Sequence, residues 1–154
     1  MIKIKNLIAV LFIASASLSF AADTTPSDSA PSWAKEAQQE IKNKKYDAAI
    51  NTLLAANQPS SADWNNLLGF AQRKKSPPNL NAAEFYYQAA LKIDPKHQGA
   101  LEYLGELFLM KNDLAGAEQM LARLNKVCFF SCEEYRDLKE AIAQYKTKKK
   151  ISRR

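Results

Sequence analysis

The sequence predicts an all-α fold, an α-solenoid of three stacked helix pairs closed by a seventh, C-terminal capping helix. Three observations predict it. The 154 residues include four glycines and are rich in Ala, Leu, Glu, Lys and Gln, which lose least on entering a helix. No run of Val, Ile and Thr alternates at period two, so no strand is expected. A pattern of large and small apolar residues recurs from about residue 32 onward, as it does in units that stack because none buries its own face alone.

The ends lie outside this pattern. Lys3 and Lys5 precede an unbroken apolar run, Leu7 to Ile13, and small residues lead to Ser19-Phe20-Ala21. That order predicts a secretory signal peptide over 1–21, cut after Ala21, with a core too short to span a membrane. The expected location is periplasmic or secreted, and with no cysteine near the cut a lipid anchor is not expected. Residues 22–31 are polar and predict a flexible leader. Lys146, Lys148, Lys149, Lys150, Arg153 and Arg154 form a basic end, and 148–154 is expected to be a disordered tail. The signal and tail cations explain the net charge of +6, since the rest of the chain keeps 14 basic residues against 16 acidic ones. The pI near 9.3 therefore does not describe a basic folded face, and nucleic-acid binding loses its main support. The tail allows at most a weak, salt-sensitive contact with an anionic surface, without stable membrane insertion.

The first unit, about 32–61, opens with a helix from Trp33 to Lys44. A second helix carries Tyr46, Ala48, Ala49, Ile50, Leu53 and Ala56. The second unit, about 62–97, has Trp64 and Leu68-Gly69 in its first helix. Asn79 to Tyr87, Ala90 and Asp94-Pro95 make its second. The third, about 98–131, reads Leu101-Glu-Tyr-Leu104-Gly105-Glu-Leu-Phe108, then Asn112-Asp113-Leu114-Ala-Gly-Ala117 and Leu121. The capping helix, 132–147, is announced by the capping box Ser131-Cys-Glu-Glu134 and by Tyr135, Leu138, Ile142 and Tyr145 at helical spacing.

These residues resemble the tetratricopeptide repeat: a large apolar residue, Leu-Gly, an aromatic, then a small alanine and a further large apolar residue. The resemblance covers about residues 32–128 and is fullest in the third unit, where Leu101 and Leu121 replace the usual aromatics. In the second unit Trp64 sits one residue early, and the gap from Gly69 to Ala83 is 14 residues against 12 from Gly105 to Ala117, with the excess at Ser76-Pro77-Pro78. The first unit lacks Leu-Gly and carries Glu36 and Ala37 there, as terminal repeats often do. On physical grounds Ala49, Ala83 and Ala117 are expected where two helices cross closely, with Gly69 and Gly105 at similar approaches. Leu53, Phe85, Tyr87, Leu104, Phe108, Leu121 and Leu124 are expected to fill the layers.

The resemblance implies a curved array whose concave face is lined by the first helix of each unit. By register that groove would comprise Ala34, Gln38, Ile41 and Lys42, then Asp63, Asn66, Phe70, Arg73 and Lys74, then Glu102, Glu106, Leu109 and Met110. Phe70, Leu109 and Met110 fall off the stripe that the repeat buries, as exposed anchors or as extra core. The charges are split, Arg73 and Lys74 against Glu102 and Glu106. This suits a protein partner, a peptide or helix of mixed charge with one or two apolar contacts.

Cys128 and Cys132 are the only cysteines. In an exported chain the default is a disulfide fixing the start of the capping helix. Two other readings stay open. Cys132 in a first helical turn would have a lowered thiol pKa suited to thiol exchange, and a pair of thiolates could hold Cu(I). Against these, there is no Cys-x-x-Cys and the lone histidine, His97, is some thirty residues away. His97 is expected to be solvated in an inter-unit turn. No nucleophile–base–orienter set and no Gly-rich phosphate loop are found, so no enzyme activity and no cofactor are expected.

Overall fold

The computed structural model describes residues 30–129 and 132–152. The signal peptide and most of the leader lie outside the described residues. The described chain is helical: α1 Ser32–Lys42, α2 Tyr46–Ala56, α3 Ala62–Lys74, α4 Leu80–Ile93, α5 Gln98–Met110, α6 Leu114–Val127 and α7 Glu133–Ile151. Among the described residues no helix is long and apolar enough to cross a membrane.

Four helices begin on a side-chain acceptor for an otherwise unsatisfied backbone N–H. Ser61 accepts from Trp64 N, Asn79 from Ala82 N, and Asp113 from Gly116 N. The fourth corrects an expectation. His97 is not solvated but half-buried at the start of α5, where its Nδ1 accepts from Ala100 N at 3.1 Å. Because Nδ1 accepts, Nε2 carries the proton and donates to Asp63 of α3 at 3.0 Å.

The helices pair α1 with α2, α3 with α4, and α5 with α6. Within the array α1 touches α3, α3 touches α5 and α5 touches α7, whereas α2, α4 and α6 make no such contacts with one another among the described residues. The layer of first helices is therefore the contracted one, and its outer surface is the inside of the curve.

The close crossings fall at the small residues. Ala49, Ala83 and Ala117 are fully buried. A Cβ on Gly69 would lie 2.7 Å from the Tyr87 ring, and one on Gly105 2.6 Å from Leu138, so α3 meets α4 and α5 meets α7 at distances only glycine allows. Leu138 and Ile142 are the buried residues of α7, which covers the open face of α5 as a cap should.

Two expectations are corrected. Phe85 was assigned to the core and is 65% exposed. It lies two residues from both Ala83 and Tyr87, about 200° around the helix from their buried face, with its ring edge-on to Tyr86. The tail expected to be disordered from 148 is helical to Ile151. Lysine is a good helix former and favours the negative end of the helix dipole. Lys146 also pairs with Glu118 of α6 at 2.6 Å, and Lys149 Nζ donates to Tyr145 OH one turn back at 3.0 Å.

Candidate functional site

On the inner layer, α3 and α5 bring together a compact cluster around one guanidinium. Arg73 is 6% exposed. Its Nη1 pairs with Glu106 at 2.6 Å and its Nε donates to Tyr87 OH at 3.2 Å. The guanidinium carbon stands 5.5 Å from the Phe70 ring centre and 5.3 Å from that of Tyr103, within cation–π range. Phe70 and Tyr103 are themselves in contact, with centroids 4.9 Å apart, and Lys74 Nζ lies 5.6 Å from the Phe70 centre. Phe70 is thus a half-buried ring with two cations and a second ring beside it.

Burial alone would lower the Arg73 pKa, but Tyr87 and Glu106 more than offset this and raise it. Tyr87 is raised chiefly by burial, with Arg73 opposing. Tyr103 is pushed up to about 12, first by burial and then by the Glu102 charge. Glu102 is displaced furthest for its type. It is 8% exposed, and burial, then Glu106, Asp137 and Glu134, raise it to about 8 against the pull of Arg73. Two buried atoms here have no hydrogen-bond partner among the described residues, Arg73 Nη2 and Asn66 Oδ1.

Of the residues assigned to the groove, Phe70, Arg73, Lys74 and Glu106 are directly linked, and Glu102 lies within electrostatic reach. Asn66 sits one turn before Phe70, its Nδ2 3.2 Å from where a Gly99 Cβ would be. The others do not join. Gln38 and Lys42 are exposed on α1, Ile41 packs against the N-terminal core and Leu109 against the C-terminal one. Met110, at the end of α5, is 48% exposed. Sequence reasoning missed Tyr103, the hydroxyl of Tyr87, and the α7 carboxylates Glu134 and Asp137. Tyr103 had a signal, an aromatic one residue before Leu104-Gly105 on a helix already assigned to the inner face.

Residues 79–142 match the tetratricopeptide repeat family. The tetratricopeptide-like solenoid is also found among solved structures. The type III secretion translocator chaperone SycD of Yersinia enterocolitica is similar with a TM-score of 0.66 at 19% identity, over 77% of this chain and 83% of that chain. A second structure, SycD in complex with a peptide of the translocator YopD, gives a TM-score of 0.61 at 18% identity over 79% of this chain and 92% of that chain. At such identities the likeness establishes the fold. No curated protein matches the sequence.

Cys128 and Cys132 are joined as a disulfide with alpha carbons 5.5 Å apart, as expected of the pair. Cys132 is the N-cap of α7 and makes no side-chain cap bond. Ser131 of the expected capping box lies outside the described residues. In this bonded form the sulfurs present no thiolate for exchange or for Cu(I). Among the described residues no group of three or more His, Cys, Asp or Glu side chains is placed to hold a metal ion.

Proposed function

We propose that the chain is an exported, non-enzymatic binding scaffold that holds a peptide or helical segment of a partner protein, in the manner of a chaperone or adaptor, on its concave face around Phe70, Arg73 and Tyr103. The observation that carries this reading is the concave cluster itself: two half-buried rings beside a buried guanidinium whose Nη2 has no acceptor among the described residues. The half-buried rings offer apolar contact to a bound segment, and the exposed Lys74 beside Phe70 offers charge. That SycD has been solved with a peptide of YopD supports the same use of the fold here. Export rests on the charged, apolar and small-residue order of residues 1–21, and a disulfide suits an oxidising compartment.

Photo-crosslinking in the native host tests the face. A crosslinker at Lys74, on the concave side, is expected to trap a discrete protein adduct. One at Leu54 or Phe85, both exposed on second helices, is expected to trap none. Adducts from the outer positions alone would sink the groove reading.

A further inference from the structure

Glu102 makes no hydrogen bond or ion pair among the described residues, although it is nine-tenths buried. The groups that act on it come from every inner helix around it: Arg73 from α3, Glu106 from its own helix, and Glu134 and Asp137 from α7. Three carboxylates therefore press on Glu102 against one guanidinium, and that guanidinium is already committed, Nη1 to Glu106 and Nε to Tyr87. A buried carboxylate without a counter-charge is costly in its ionised form. In the free protein the cost is relieved by keeping a proton on Glu102, at a site whose ordinary value of 4.5 has risen to about 8. Glu102 stands one helical turn from Glu106, which holds Arg73 beside the Phe70 and Tyr103 rings.

We infer that this part of the concave face takes a lysine or arginine residue of the bound segment, its cation on Glu102 and its alkyl stem on the Phe70–Tyr103 rings. The inference rests on the groove reading above and adds the chemistry of the partner to it. The cation replaces the proton, so binding releases close to one proton from Glu102 to solvent well below pH 8 and about half of one at pH 8. The sign follows. Below about 8 the site must first lose its proton, so affinity falls by up to about tenfold per pH unit. Above that value affinity is flat until the lysine itself deprotonates at about 10.4.

The test is selection of a random heptapeptide display library at pH 8.5 on the purified protein with its native ends. The expected peptides are rich in Lys or Arg, and replacing the key lysine by norleucine weakens binding at least about tenfold. Affinity should rise at least about tenfold from pH 6.5 to 8.5 in the wild type and stay flat in Glu102→Gln, the two proteins converging at pH 6.5. Helicity by circular dichroism is expected to be unchanged in Glu102→Gln, which keeps the shape of the side chain. Peptides lost in Phe70→Ala but without basic residues or pH dependence would overturn the cation site and leave the groove standing. Peptides indifferent to both substitutions, or an empty selection, would overturn the groove and the cation site together.

Discussion

Seven buried residues of α1, α2 and α3, led by Trp64, Leu53 and Leu68, make one core cluster. Thirteen from α4 to α7, including Tyr87, Leu101, Leu107, Leu124 and Leu138, make the other. The first is stapled mainly by Trp64, whose Nε1 donates to Leu53 O at 2.6 Å. In the second, α5 is enclosed by α4, α6 and α7. Capping differs between the repeat units, since both helices of the first unit, α1 and α2, start without a side-chain acceptor while α3, α4, α5 and α6 each have one. The half that carries the clearest repeat sequence, matched over 79–142, is also the half with the larger core. A first unit with one neighbour has less surface to bury and less reason to keep the pattern.

The largest test of this contrast is Leu138→Ala. The residue is fully buried and sits against Gly105. Its truncation is expected to cost about 3 kcal/mol in urea unfolding and to release α7, exposing α5. If only α7 amides lose hydrogen-exchange protection while α4 to α6 keep theirs, α7 is a separable cover and the C-terminal half is not one cooperative core. Gly69→Ala probes the seam between the halves. Alanine gains up to about 1 kcal/mol in helix propensity, but its Cβ would stand 2.7 Å from a Tyr87 ring that is fixed by burial and by Arg73. Overpacking of about 1–3 kcal/mol is expected to win, giving a net loss of about 1 kcal/mol by thermal unfolding. A gain in stability would mean that α3 and α4 part readily and that the two cores are loosely joined.

The repeat was legible because close crossing leaves a direct mark in sequence: a small residue is required at Ala49, Ala83 and Ala117, and larger neighbours surround it. Phe85 was misread because three consecutive aromatics, Phe85 to Tyr87, offer no clue to which faces inward unless the register is taken from Ala83. With that register Tyr87 is fully buried, Tyr86 packs half-buried against Trp64, and Phe85 faces outward. The site was half legible. Residues of α3 and α5 could be placed on one face by register, but the joining of Arg73 to both Tyr87 and Glu106 depends on the angle at which three helices meet. Glu134 and Asp137 were read only as part of a capping helix. Their effect on Glu102 depends on how α7 lies across α5, which local spacing does not encode. The helical extension to Ile151 was hidden for another reason. A run of lysines reads as disordered by charge, yet Glu118 and Tyr145 hold two of them in place.

Capping supplies the finest test. Asp113 Oδ1 accepts from Gly116 N at 2.9 Å at the head of α6, whereas Lys45 heads α2 with no side-chain bond to its first turn. Asp113→Ala is expected to cost about 1 kcal/mol, read as a lower midpoint in urea at unchanged slope. Lys45→Ala is expected to stay within about 0.5 kcal/mol. A loss at Lys45 equal to that at Asp113 would show that the head of α2 is held by its side chain after all, and that uncapped starts do not set the first unit apart. With the expected values, the first helix pair depends on its contact with α3 through Trp64 and Leu68 rather than on its own helix ends. The second cluster is held at both levels, since the α6 cap adds to the packing of Ala117 and Leu124 on α5.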